Sequence, residues 1–89
     1  MLYDVVAERK QTDFQKIANN VYESEYEISI RNHKAVPVRI EVNEPIGGTW
    51  RMLTASHEWT KSAAFAAQFM VPLAPDATAV LKYRVRVTY

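Results

Sequence analysis

Between Tyr22 and Val42 the chain alternates apolar and polar residues almost without a break, and it turns over once, near Asn32-His33-Lys34. Tyr22, Tyr26, Ile28 and Ile30 fall on one face of an extended strand, with Glu23, Glu25, Glu27, Ser29 and Arg31 on the other. Val36, Val38, Ile40 and Val42 repeat the pattern against Pro37, Arg39, Glu41 and Asn43. A period of two marks a strand with one dry face and one wet face. Parity adds a second constraint. Both inward sets carry even numbers, so direct pairing of the two strands requires an odd number of loop residues and excludes a two-residue hairpin. The strands are joined either by a three- or five-residue loop or by an arch from one sheet to a second sheet facing it.

The rest of the chain divides into shorter pieces. Leu2–Lys10 reads as a strand of blurred pattern, with Tyr3, Val5 and Ala7 on one face and Leu2 and Val6 on the other, and it is the best candidate for a sheet edge. In Gln11–Asn20, Phe14, Ile17 and Ala18 have helical spacing, but the stretch is short for a helix and ends in Asn19-Asn20, a turn signal. It reads as a long loop with at most one helical turn. Pro45-Ile46-Gly47-Gly48 is the sharpest turn signal and contains both glycines of the protein. Trp50–Ala55 is a short strand of undecided face, and Ser56–Ala63 is polar and irregular around Trp59. Phe65, Ala67, Phe69 and Val71 then alternate cleanly. Pro72–Ala77 is a loop with Pro75-Asp76 suited to the centre of a type I turn. In the final strand Ala79, Leu81, Tyr83, Val85, Val87 and Tyr89 face one way, and Val80, Lys82, Arg84, Arg86 and Thr88 the other. Six to seven strands at intervals of roughly a dozen residues, with no convincing helix, predict an all-β fold, an antiparallel sandwich or a small barrel.

Eighty-nine residues make one domain. Eleven basic and ten acidic residues give a net charge of +1, which leaves no electrostatic footprint for nucleic acid or an anionic membrane. The absence of cysteine removes disulfides and zinc-thiolate sites and is compatible with either redox compartment. No apolar run approaches the roughly 20 residues a membrane-spanning helix needs, so direct membrane insertion is not expected. Met1-Leu2-Tyr3-Asp4 lacks the features of a signal peptide. The last strand alternates up to Tyr89 without a tail, and the chain is therefore read as a domain from the C-terminal part of a larger protein.

Tyr26-Glu27-Ile28-Ser29-Ile30-Arg31-Asn32, Pro37-Val38-Arg39-Ile40-Glu41-Val42 and Glu44-Pro45 with Trp50 resemble a bacterial immunoglobulin-like pattern. So does the late part, Val71-Pro72-Leu73-Ala74-Pro75-Asp76 followed by Ala79 to Val87. In such domains the chain leaves one strand at an Asn and arches to the facing sheet. The resemblance implies an immunoglobulin- or fibronectin-III-like antiparallel sandwich of six to seven strands. More narrowly, Val5-Val6-Ala7-Glu8-Arg9-Lys10, the Tyr26-Glu27-Ile28 and Arg31-Asn32-His33-Lys34 pieces and Ser56-His57-Glu58-Trp59 resemble the C-terminal domain of a bacterial family of unknown function. That family includes the mucoidy-inhibitor-like proteins. Asp76 stands where a turn Gly is common in the pattern. The resemblance implies a module in a larger protein, association with the cell envelope or periplasm, and no catalytic residues to carry over.

Ser56-His57-Glu58 invites a triad reading, but a triad needs side chains converging from separate elements, and no Gly-x-Ser-x-Gly is present. His57 is expected to bond a neighbouring carbonyl. With only His33 and His57, and no cysteine, no zinc spacing exists. Glu23, Glu25 and Glu27 could suggest calcium, but a flat ladder on one strand face suits cross-strand pairing with Lys82, Arg84 and Arg86 better. Trp50, after the Gly-Gly turn, is expected to cover an end of the core, and Trp59 to be partly exposed. Catalysis and cofactors are not expected. Trp59, Trp50 and His57 are the candidate contacts with a ligand or partner. The chain reads as a non-catalytic structural or interaction module, its partners being other domains of the same protein or another protein. A carbohydrate-binding module using Trp59 and Trp50 is the alternative.

Overall fold

A computed structural model describes residues 5–89; Leu2, Tyr3 and Asp4 of the first expected strand lie outside the described residues. Seven strands follow one another: β1 (Val5–Ala18), β2 (Val21–Asn32), β3 (Val38–Pro45), β4 (Thr49–Ala55), β5 (Trp59–Ala63), β6 (Ala66–Leu73) and β7 (Thr78–Thr88). They form a β-sandwich of two antiparallel sheets, one of four strands in the order β1-β2-β7-β4 and one of three in the order β3-β6-β5. The four-and-three division is that of constant-type immunoglobulin domains. There, however, the fifth strand lies in the larger sheet and the seventh in the smaller; here they have exchanged places.

Of the connections that parity allows, the arch is the one present. β2 and β3 lie in different sheets and are joined by the five residues His33–Pro37. Asn32 pins the arch. Its side-chain amide donates to the carbonyls of Val36 (2.9 Å) and Ala74 (3.1 Å), its Oδ1 accepts from Lys34 N–H (2.9 Å), and it is fully buried. One asparagine thus ties the β2–β3 arch to the β6–β7 turn. Val36, expected inside, is 55% exposed on the arch, because β3 does not begin until Val38.

The core is the even face of β2 and the odd faces of β6 and β7. Ile28, Ile30, Ala67, Phe69, Val71, Leu73, Leu81, Tyr83, Val85 and Val87 are buried together with Ile46. The Phe69 ring lies 4.9 Å from that of Tyr83, setting β6 opposite β7. Phe65, expected to be inward, is 61% exposed in the two-residue turn Ala64-Phe65 between β5 and β6.

Three segments depart from the sequence reading, and β-bulges account for most of the difference. Gln11–Asn20 is not a loop. It is the second half of β1, which pairs with β2 in a hairpin closed by Asn19-Asn20, with Asn20 at φ 61°. Register slips at Thr12 and Ile17 each insert one unpaired residue. The first slip moves the inward set from Ala7, Arg9 and Gln11 to Phe14 and Lys16, so the helix-like spacing of Phe14, Ile17 and Ala18 marks no common face: Ile17 is a bulge residue and Ala18 pairs with the outward Val21. Ser56–Ala63 is likewise not irregular throughout, since Trp59 opens β5, whose pairing with β6 slips between Lys61 and Ala63. A slip between Met52 and Thr54 explains the undecided face of β4. The turn at Pro75-Asp76 is not type I. Asp76 has φ 57°, a left-handed value, and the Ala77 N–H donates to the Ala74 carbonyl. This is why a glycine is at home at that position in the pattern the chain resembles.

At 48 × 24 × 23 Å the domain is elongated, matching the roughly 46 Å that fourteen β1 residues span at about 3.3 Å each. Gly48, at φ 72°, stands immediately before β4. A Cβ there would lie 2.8 Å from the Thr88 carbonyl oxygen, so this close approach requires glycine.

Candidate functional site

The fold brings Trp50, Trp59 and His57 to one flank, where the edge strands β4 and β5 face each other. Trp50 pairs with Val87 and Trp59 with Phe69, so both indoles project between the sheets. Their ring centroids are 5.7 Å apart with a 53° tilt. The Trp50 indole N–H donates to the Ala64 carbonyl (3.1 Å), and Lys61 Nζ stands 5.4 Å above the Trp50 ring. Trp50 packs on the core as a half-buried cover, whereas Trp59 is 38% exposed. Beside the pair an open cleft of about 700 Å³ is lined by Met52, Leu53, His57, Trp59 and Met70 among others.

His57 bonds a side chain rather than a carbonyl, its Nδ1 lying 2.7 Å from Ser56 Oγ. Ser56 Oγ accepts the Lys82 N–H (2.9 Å), and the Ser56 N–H donates to the Lys82 carbonyl (2.9 Å). The hydroxyl therefore anchors the β4–β5 connection to β7. Among the described residues no carboxylate bonds the imidazole, and no three His, Asp or Glu side chains converge as a metal site. His33 sits exposed on the β2–β3 arch, away from this flank.

The acidic and basic rows meet on the outer face of the larger sheet. Glu23, Glu25 and Glu27 stand directly opposite Arg86, Arg84 and Lys82. Glu23 bonds Arg84 (3.0 Å) and Arg86 (2.6 Å), and Arg84 also reaches Asp13 on β1 (2.8 Å). The row is less wet than its pattern suggests: these arginines cover Glu23, which is only 8% exposed. The Arg86 hydrogen bond, then that of Arg84, holds the Glu23 carboxyl below its usual range, and Arg84 does the same for Asp13.

Two clusters lie outside the sequence reading. On the opposite flank the Arg9 guanidinium from β1 lies 4.1 Å over the Tyr26 ring of β2 and bonds Glu44 on β3 (2.8 Å). The Tyr83 hydroxyl donates a short hydrogen bond to the same Glu44 oxygen, inside the core. Burial first, then the carboxylate, pushes the Tyr83 hydroxyl well above its ordinary value. Glu44 continues the inward even-numbered set of β3, which is the signal that could have found it. At the hairpin end Phe14 stacks on Tyr22 (5.6 Å) and Tyr22 meets Tyr89 edge-on (5.9 Å). This patch was hidden because a bulge brings Phe14 onto the inner face.

Compared with protein-family models, with curated proteins and with solved structures, the chain matches none.

Proposed function

We propose that the chain is a non-catalytic β-sandwich module that serves as a structural or protein-interaction domain of a larger bacterial protein. The observation that carries this reading is the state of its sheet edges. Two sheets present four free edges, and three of them are interrupted by bulges, whereas β3 pairs with β6 from Val38 to Pro45 without a slip. A regular, unguarded edge is a template for another chain. The resemblance to the family that includes mucoidy-inhibitor-like proteins, and to immunoglobulin-like modules generally, is compatible with such a role and with the cell envelope as its place. It rests on the quoted residues alone.

The second reading is carbohydrate binding at Trp59 and Trp50, favoured by the meeting of the two indoles at a partly exposed flank. It is weakened by the tilt of the rings and by Lys61, which occupies the Trp50 face that a sugar would stack on. Tryptophan emission titrated with bacterial polysaccharides separates the readings. The interaction module gives no quenching and no spectral shift. Saturable quenching that disappears in Trp59→Ala would replace it with the glycan reading.

A further inference from the structure

The two sheets differ by one strand, and the position of the missing one can be read from contacts between them. Phe69 against Tyr83 places β6 opposite β7. Trp50 against Trp59 places β5 opposite β4. The Arg9 side chain must pass over Tyr26 of β2 before it reaches Glu44, so β3 lies opposite β2. Nothing then stands opposite β1. Its inner face, set by the pairs Ala7↔Ile30, Arg9↔Ile28 and Gln11↔Tyr26, is exposed at all three positions, although the partners on β2 lie in or against the core. The result is a shelf one strand wide, with β1 as its roof and the free edge of β3 as its wall.

The wall is well made for a strand. Val38, Ile40 and Val42 face inward and remain half-exposed, while Arg39, Glu41 and Asn43 face out. The other edges carry defences. β1 has two bulges, and β4 and β5 have one each; charged side chains also point inward at Arg9 and Lys16 on β1 and Lys61 on β5, whereas on β3 the one inward charge, Glu44, stands at the end that Arg9 closes. β3 has no bulge and no proline before Pro45. The Arg9–Glu44 bond closes the shelf at one end, leaving Val38–Val42 as the accessible footprint, about 17 Å at about 3.4 Å per residue.

A second copy does not fit. If β3 of another chain took the shelf, the two-fold would place that chain's β1 over β3, a position already held by β2. The vacancy admits a single extended segment.

We propose that an extended segment of a partner protein adds antiparallel to β3 and lies beneath β1 as the fourth strand of the smaller sheet. Its alternate side chains are apolar, facing Val38, Ile40 and Val42; between them an acidic side chain faces Arg39 and a basic one faces Glu41. The Arg39 side chain makes no ion pair or hydrogen bond with another described residue, and the Glu41 carboxylate only accepts one from Gln68 (3.3 Å), so both charges are available. This assignment rests on the reading of the domain as an interaction module and specifies its partner.

The test uses the whole chain and fluorescein-labelled nonapeptides with the core Val-Lys-Val-Glu-Val, which satisfies the antiparallel register. The reversed core Val-Glu-Val-Lys-Val and a core whose lysine is methylated on its backbone nitrogen, the N–H that faces the Glu41 carbonyl on the free edge of β3, serve as controls. Expected are saturable anisotropy with the first peptide, weaker binding of the reversed one and none with the N-methylated version. Amide exchange should slow within Val38–Val42 and stay unchanged along β5. Arg39→Glu weakens binding about fivefold, the order expected when an exposed cross-strand pair turns from attraction to repulsion. A peptide with Lys in place of its Glu restores the affinity. Protection along β1 or β4 instead overturns the shelf while leaving the interaction module standing. Absence of peptide binding together with polysaccharide quenching of Trp59 overturns both. Concentration-dependent self-association that protects β3 overturns the partner assignment in favour of a second copy.

Discussion

The two flanks of the sandwich are finished in different ways. Where β4 meets β5, two indoles, a lysine stem and a three-residue connection close the gap with the chain's own side chains. Where β1 overhangs β3, one guanidinium crosses to one carboxylate, and beyond that bond the inner face of β1 is wet. Aromatic closure gains from area and needs no partner. An ion pair at one end holds the sheets together at a point and leaves backbone edges free. The same fold thus completes itself on one side and stops a strand short on the other.

The largest expected effect locates the boundary between closed core and open flank. Ile28→Ala, at a 3% exposed site in the centre, should cost roughly 2–5 kcal/mol. Sequence pattern alone assigns Ile40 the same cost. The half-exposed position on β3 lowers it to about 1–2 kcal/mol, since part of its surface is never removed from water. Urea melts of the two variants decide the matter. Equal costs would mean that the β3 flank is closed in solution, and the contrast between the flanks would be lost.

Next come the two fasteners. Arg9→Ala leaves Glu44, 5% exposed, with Tyr83 as its remaining partner; because the Arg9 side chain is 45% exposed, the expected loss is about 2 kcal/mol rather than that of a fully buried pair. Trp59→Ala removes a ring contact and partial burial and should cost about 1 kcal/mol. The clamp also has a signature in pH. The raised pKa of Tyr83 means that its contribution is complete below the unfolded value of 10.0 and declines above it, as the unfolded chain ionises first. Thermal melts of the native chain should fall more steeply above pH 10 than those of Tyr83→Phe. Parallel slopes would show that the hydroxyl is not held as described.

How much of this was legible in the sequence depended on whether the period of two was left intact. β2, β3, β6 and β7 keep it nearly throughout, and for them the inward residues follow from alternation, which also excludes a two-residue hairpin at Asn32 and leaves the arch as one of the connections allowed. β1, β4 and β5 carry bulges, and a single inserted residue transfers the following side chains to the other face. From sequence alone Phe14 therefore falls in a long loop with at most one helical turn, and Trp59 in an irregular stretch. The cross-strand match of Glu23, Glu25 and Glu27 with Arg86, Arg84 and Lys82 was visible, because both strands are regular. Burial of Glu23 was not, since it depends on the arginines lying over it, Arg84 being also held by Asp13 of β1. The shelf was invisible for a different reason. An empty position has no sequence pattern and is seen only when the facing strands are counted.

The smallest effects belong to the outer face, which serves neither flank and so provides a control for both. Glu25 bonds Thr12 (2.8 Å) and lies 3.5 Å from Lys82, yet Arg84 retains Asp13 and Glu23 without it. Glu25→Ala should change stability by under about 0.5 kcal/mol. Glu23, bonded by both Arg84 and Arg86, adds a signature in pH. Its depressed pKa gives a contribution that is complete above the unfolded value of 4.5 and is lost as the pH falls through the lower folded value. Melting temperatures measured from pH 6 downward should therefore drop less steeply in Glu23→Gln than in the native chain, and salt should flatten the difference at this surface. An unchanged acid slope in Glu23→Gln would place the acid sensitivity elsewhere, and Asp13, whose carboxyl Arg84 also holds below its usual range, would then be the group to replace.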